Sequence, residues 1–237
     1  MSEAKDRLAV ALDVPDLERA RALAAALAGR VGVFKVGLEL FAAYGPAAVE
    51  AASSGGAGIF LDLKIHDIPR TAAAAVTSAG RLAARYVTLH ALGGPKMLAA
   101  AREAAEKLGA ARPKLLAVTV LTSHDAAELP SIGLAGSPRD NVVRLARMAV
   151  EAGADGLVCS PQEVGELRAT LGPGPVLVTP GVRPAGADKG DQARVATPFD
   201  AIKDGSSLLV VGRPIVAAPD PAAAADAIVA EIAAALR

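Results

Sequence analysis

With 237 residues, 52% of them hydrophobic, and 25 basic side chains against 25 acidic ones, the chain can bury a sizeable core and carries no net formal charge. That balance gives no electrostatic reason to bind nucleic acid or an anionic membrane surface, and with no tryptophan and 3% aromatic residues, platforms for stacked bases are scarce. No uninterrupted apolar run approaches the roughly 18 residues of a membrane span. The five apolar residues at 8–12 are too few for the core of a signal peptide, so a cytoplasmic protein is expected. The single cysteine, Cys159, has no partner for an internal disulfide and reads as a buried, inert thiol. Along the chain, short apolar runs at 8–12, 31–36, 58–64, 86–90, 115–121, 156–160, 176–179 and 208–211 read as strands. Alanine-rich helical segments are predicted at 16–28, 39–53, 69–82, 95–108, 140–152, 161–171 and 222–236. Strands that alternate with helical connections imply a parallel sheet. At this length the expected fold is α/β, a closed (β/α)8 TIM barrel occupying 1–237 as one domain.

In such a barrel chemistry gathers at the carboxyl ends of the strands. Those ends carry Asp13, Lys35, Asp62 with Lys64, His90, Thr122, the Gly-Val-Arg run ending at Arg183, and Gly212 with Arg213. The opposite strand ends show no comparable set in the sequence.

The densest of these clusters is in 58–71, Gly-Ile-Phe-Leu-Asp-Leu-Lys-Ile-His-Asp-Ile-Pro-Arg-Thr. An apolar run of this kind marks a strand buried on both faces. Asp62 and Lys64 interrupt it two positions apart, so on a regular strand both would point to the interior. Burying ions costs several kcal/mol apiece unless they are paired. A structural ion pair, with Asp67 capping the next helix, is the plain alternative to a catalytic cluster.

Strands seven and eight look like a phosphate site. Gly212-Arg213-Pro214 offers close backbone approach, a guanidinium, and a proline suited to a first helical turn. The long, glycine-rich stretch 180–198 carries Arg183, Lys189, Gln192 and Arg194, and a lid over a phosphate fits its length and donors.

With these residues in view, Asp62-x-Lys64-x-x-Asp67-Ile68-Pro69-x-Thr71 resembles the signature of the orotidine 5′-phosphate decarboxylases. The resemblance runs the length of the chain through Leu-Asp at 12–13, Lys-Val-Gly at 35–37, Leu-Thr-Ser at 121–123, Thr-Pro-Gly-Val-Arg at 179–183, Gly-Asp-Gln at 190–192 and Val-Gly-Arg at 211–213. No phosphoribosyltransferase domain accompanies it, so the stand-alone, bacterial type is the closer likeness. The resemblance implies loss of CO2 from C6 of orotidine 5′-phosphate to give UMP, without cofactor or metal. It implies that Lys64 protonates C6, that Asp62 lies against the departing carboxylate, and that Lys35 and Asp13 meet the ribose. It further implies a homodimer in which Asp67 and Thr71 serve the partner's site. Thr122 would face the pyrimidine, and Arg183, Gln192, Gly212 and Arg213 would hold the phosphate.

Physical chemistry agrees with those roles. A carbanion without a conventional electron sink has to be stabilised electrostatically, and a preorganised cation in a dry site is the strongest such means. His66 reads as structural or solvent-facing because the strand is expected to end before it, and three histidines scattered in sequence offer no metal constellation. Two rivals remain at this stage. One is a magnesium-dependent keto-gulonate-phosphate decarboxylase or hexulose-phosphate synthase on the same barrel, in which the position of Lys35 resembles a glutamate metal ligand. The other is a non-catalytic phosphate-binding barrel.

Overall fold

Eight short parallel strands close on themselves in sequence order in the computed structural model of the chain, which describes residues 2–124, 126–184 and 196–237. They are β1 (Leu8–Ala11), β2 (Val33–Gly37), β3 (Gly58–Ile65), β4 (Ala84–His90), β5 (Lys114–Val118), β6 (Gly156–Val158), β7 (Val176–Thr179) and β8 (Leu208–Val211), with β8 pairing back onto β1. The predicted α/β barrel is therefore the observed one. Half of the strand ends coincide with the predicted ones and the others differ by one to three residues, as expected where fraying and caps set the boundary.

Around the barrel run α1 (Ser2–Asp6), α2 (Leu17–Ala26), α3 (Leu38–Tyr44), α4 (Pro46–Ser53), α5 (Pro69–Arg81), α6 (Gly94–Glu106), α7 (Pro138–Glu151), α8 (Val164–Leu171), α9 (Pro198–Lys203), α10 (Arg213–Val216) and α11 (Pro221–Ala235). Their starts are chemically marked. Asp16, Ser137, Thr197 and Asp220 each accept a hydrogen bond from a backbone N–H of the first turn, and prolines occupy the first turns of α5, α7, α9 and α11. The helical pieces predicted over 39–53 are two helices, α3 and α4, divided where Gly45 adopts φ 56° and Pro46 restarts the spiral. The segment predicted at 161–171 begins as a 3-10 turn, Pro161–Glu163, before α8. The short helices α1, α9 and α10 carry too little apolar periodicity to be read from sequence.

The core has two layers. An outer one lies between strands and helices, and a smaller one fills the barrel, where Phe60 meets Tyr86 edge-to-face at 5.9 Å with Ala9, Ala11, Leu116 and Val178 around them. Small residues on β1 thus face large ones on β3 and β4, and this layer is the floor beneath the carboxyl-end rim.

The opposite rim does carry charges, contrary to the sequence reading, but they face the outer loops. Arg168 donates to the carbonyls of Gly172, Pro175 and Gly205 and to Ser207 Oγ, over 2.8–3.1 Å. Asp155 accepts from Arg102, Arg112 and the Leu115 N–H, the last at 2.7 Å. These groups fasten the loops entering β5 to β8.

One close approach on this rim is testable. A Cβ on Gly156 would collide with the Val176 carbonyl in the adjoining strand. Gly156→Ala is expected to destabilise the fold by about 1–3 kcal/mol, lowering the melting temperature by several degrees. Thermal denaturation checks it, and an unchanged midpoint would show that β6 and β7 can separate freely here.

Candidate active site

β3 leaves the regular sheet where its charges begin. It pairs with β4 through Leu61 opposite Val87 and again through Ile65 opposite Leu89. Between those pairs β3 contributes Asp62, Leu63 and Lys64, whereas β4 contributes Thr88 alone, so the strand bulges. Lys64 sits in the left-handed region at φ 48°, uncommon for a side chain with a Cβ. The expectation that regular strand alternation aims both charges inward is corrected. They meet by way of the bulge.

The outcome is a chain of alternating charges. Lys64 Nζ lies 3.0 Å from both carboxylate oxygens of Asp62. Lys35 Nζ stands 3.7 Å from Asp62 Oδ2 and donates to Asp13 Oδ1 at 3.0 Å. The inner members are the drier ones, with side-chain exposure of 10% for Lys35 and 14% for Asp62 against 33% for Lys64 and 54% for Asp13. Gly37 makes room for the array, since a Cβ there would come within 3.0 Å of Lys35 Nζ and 3.2 Å of Asp13 Oδ1. Lys35 and Gly37 both belong to β2.

All four charges line a cavity of about 440 Å³ that also takes in Thr122, Arg183, Gly212 and Arg213. Phe60, Val118, Val158 and Val178 form its apolar lining from the barrel side. An apolar pocket with a few convergent charged groups is the usual form of a small-ligand site. Arg183 is buried, its backbone N–H held by the Ala196 carbonyl at 3.0 Å. Gly212 and Arg213 stand at the start of α10, a helix of only four residues. Cys159 also borders the cavity, and burial together with nearby Glu163 pushes its thiol pKa up, which keeps it protonated.

Two of the predicted site residues that the structure describes are not brought to this cavity. Asp67 and Thr71 are solvent-exposed and absent from its lining. Asp67 does not cap α5 either, since Ile68 is the cap residue and, among the described residues, the Asp67 carboxylate accepts only from the adjacent Ile68 N–H, at 2.6 Å. Gln192 lies outside the described residues, as do Lys189 and Arg194, and with them most of the expected lid.

The Orotidine 5′-phosphate decarboxylase / HUMPS family model matches residues 6–228. The chain belongs to this family. The orotidine 5′-phosphate decarboxylase of Anaeromyxobacter sp. (strain K) is 58% identical over 225 residues, which cover 95% of this chain and 97% of that one. The Thermobifida fusca protein of the same name is 56% identical, with 95% of each chain covered. Among solved structures, the orotidine 5′-phosphate decarboxylase of Lactobacillus acidophilus superposes with a TM-score of 0.85 at 39% identity, over 95% of this chain and 98% of that one. No helix among the described residues is long and apolar enough to cross a membrane.

Within this member of the family, sequence reasoning missed Thr88. Its fully buried hydroxyl accepts from the Lys64 N–H at 2.8 Å and donates to Asp62 Oδ1 at 3.0 Å. The only signal was a hydroxyl in the apolar run 86–90, two positions before the strand end, where it shares the inward face with His90.

The histidines, scattered in sequence, are gathered in space. β3 does end before His66, which is exposed, but its ring stacks on that of His90 at 5.5 Å. His124 also acts on His90 electrostatically, and its own Nδ1 lies 2.8 Å from Glu128. Burial first, then His66, Lys64 and His124, lower the His90 pKa from the ordinary 6.5 to about 4. His90 is therefore neutral near pH 7, with Nδ1 accepting from the Leu92 N–H at 3.4 Å.

A depressed histidine pKa means that the unfolded chain takes up this proton first. The contribution of His90 to stability is thus complete above pH 6.5 and is lost as pH falls towards about 4. His90→Asn retains an acceptor for Leu92 and removes the titration. Urea denaturation above pH 6.5 and near pH 4 should show a smaller loss of stability on acidification for the variant than for the parent. Equal losses would mean that His90 is not held neutral by its surroundings.

Proposed function

We propose that this chain converts orotidine 5′-phosphate to UMP as a step of pyrimidine biosynthesis, working in the cytoplasm as a homodimer. The reading rests on one observation above the rest. The alternating array Asp13–Lys35–Asp62–Lys64 lines the same cavity as Arg183, Gly212 and Arg213. A cavity of about 440 Å³ is of the size usual for a small-molecule site, and its lining offers one cluster suited to a charge-changing reaction and another suited to a phosphate.

In this mechanism Arg183, Arg213 and Gly212, with Gln192, hold the phosphate. Asp13 and Lys35 take the ribose hydroxyls, and Thr122 faces the pyrimidine. The phosphate forms no bond to the reacting carbon, so its binding energy serves to bring the base into the charged region and exclude water. The substrate carboxylate then lies beside Asp62. The bond between C6 and the carboxylate carbon breaks, CO2 departs, and the electron pair stays on C6. The Lys64 ammonium, held by both Asp62 oxygens, faces that developing charge and delivers its proton to C6. Two cations and two carboxylates keep the array neutral before substrate binds. No electron carrier is needed, because the carbanion is quenched by a proton.

The magnesium-dependent rival is disfavoured by Lys35. Its ammonium stands between Asp13 and Asp62 and already compensates both carboxylates, where that chemistry calls for a carboxylate ligand. A purely structural role is disfavoured because four partly dried charges around an open cavity are costly to maintain without a ligand.

Turnover is read from the absorbance change of orotidine 5′-phosphate, with and without a chelator. The parent should act equally in both, and Lys64→Ala should lose nearly all activity while remaining folded. A variant within about tenfold of the parent, roughly 1.4 kcal/mol of barrier, would rule Lys64 out as the proton donor.

The homodimer is supported by the exposed segment that follows Lys64. Asp67 and Thr71 face solvent, and Ile68 between them is 65% exposed, an apolar side chain suited to a partner surface. In the proposed assembly Asp67 and Thr71 complete the partner's site. Mixing inactive Lys64→Ala with inactive Asp67→Asn protein then forms hybrids with one undamaged site. Random pairing makes half the dimers hybrid, so roughly a quarter of all sites should recover activity. Hybrids that demonstrably form and stay inactive would exclude a shared site.

A further inference from the structure

We infer that Thr88 is a positioning residue for the Asp62–Lys64 pair: its single buried hydroxyl fixes both the backbone of the lysine and the carboxylate that grips the lysine's ammonium. The inference rests on the decarboxylase reading above and adds to it a residue that does not line the cavity.

The argument begins with the bulge. In a regular parallel ladder the N–H of each alternate residue is taken by a carbonyl of the neighbouring strand. Opposite Asp62, Leu63 and Lys64, strand β4 offers Thr88 alone. The Lys64 N–H is met by the Thr88 side chain in place of a carbonyl, at 2.8 Å. A threonine hydroxyl has one proton. With its lone pair engaged by Lys64, that proton points to Asp62 Oδ1 at 3.0 Å. The same oxygen accepts from Lys64 Nζ, also at 3.0 Å. A closed circuit results: from the Lys64 N–H to the threonine oxygen, from the threonine proton to the carboxylate, and from the carboxylate to the ammonium at the other end of the same lysine.

Two features make the circuit consequential for catalysis. Lys64 holds a left-handed backbone conformation, φ 48°, that its side chain does not favour, so something outside the residue has to hold it there. A lysine side chain is also long and flexible, and its head is placed only as well as its partner is placed. Asp62 without Thr88 could rotate about its own side-chain bonds and carry the ammonium with it. Thr88 is completely buried, so no bulk water replaces its hydroxyl. Its hydroxyl bonds to Lys64 and Asp62, and among the described residues to none of the groups assigned to the phosphate. Its loss should therefore act on the chemical step and leave ligand binding largely alone.

The test is Thr88→Val, which keeps the shape and removes the hydroxyl, beside Thr88→Ser, which keeps the hydroxyl and removes a methyl. For Thr88→Val kcat should fall about 100-fold, the usual consequence of misplacing a reacting group by about 1 Å, with KM and the affinity for UMP close to the parent. Thr88→Ser should restore most of the lost kcat. A role confined to packing predicts the reverse ranking, because valine preserves volume and serine does not. A folded Thr88→Val protein with kcat within about twofold of the parent, a difference of under roughly 0.5 kcal/mol, overturns the inference, as does a loss shared equally by kcat and UMP affinity. If the valine variant fails to fold, Thr88→Cys is measured instead, and parental kcat in that variant overturns the inference too. The two levels of the argument separate cleanly. A parent inactive on orotidine 5′-phosphate sinks the decarboxylase reading, whereas an active parent with an indifferent Thr88 sinks only the positioning role.

Discussion

Drawing Lys64 and Asp62 together out of bulk water is the constraint from which the carboxyl-end rim follows. Each ion loses several kcal/mol of hydration on partial burial, and their mutual attraction offsets this only when the geometry is good and the remaining hydrogen-bonding capacity is filled. Both Asp62 oxygens lie 3.0 Å from the Lys64 ammonium, one is also reached by Thr88, and Lys35 stands 3.7 Å from the other. Lys35 in turn needs Asp13, and the pair needs the space that Gly37 leaves. Among the described residues, no buried side-chain nitrogen or oxygen is left without a partner. The array thus grows outward from its driest member until its ends reach solvent at Asp13 and Lys64.

The two rims of the barrel divide their work. At the amino ends, Arg168 spends its hydrogen bonds on loop carbonyls and Ser207, and Asp155 spends its own on Arg102, Arg112 and the Leu115 N–H, which fixes the frame. At the carboxyl ends, Lys35, Lys64 and Asp62 engage side chains around an open cavity, where a ligand can compete for them. Backbone-satisfying charges confer rigidity, while charges that satisfy one another over a cavity remain available for chemistry.

How much of this was legible depends on whether the signal was local. Strands buried on both faces read as apolar runs, and β7 and β8 were placed to the residue at 176–179 and 208–211. Charges that interrupt such runs at the carboxyl end were equally visible, and Asp13, Lys35, Asp62, Lys64, Thr122, Arg183, Gly212 and Arg213 do share one cavity. The bulge at 62–64 was not visible, because the count that defines it is the number of residues on β4 opposite β3, a property of pairing and not of either strand. Thr88 was missed for the same reason, being meaningful only across the strand pair. The gathering of His66, His90 and His124 likewise depends on loops from three strand ends meeting over the rim. The helical pieces over 39–53 were legible too, and the chain divides them at Gly45-Pro46, a local signal.

The exposed run from Asp67 to Thr71 fits the same electrostatic logic once substrate is considered. Asp13, Lys35, Asp62 and Lys64 already cancel, and the two arginines of the cavity suit the phosphate. Among the described residues of the cavity, the cations left for the carboxylate to be lost are those bound to Asp62 and Asp13. A second acid brought near it by a partner would raise the energy of the bound carboxylate, an effect that eases as CO2 leaves and the charge moves to C6. Such an acid would be costly in the free chain, because it would crowd Asp62 without any substrate to act on. Left on the surface in one chain and delivered by assembly, it carries its charge in water until the site is complete. The proposed homodimer thus gives a physical reason why Asp67 lies only three residues beyond Lys64 and yet outside the cavity that Lys64 lines.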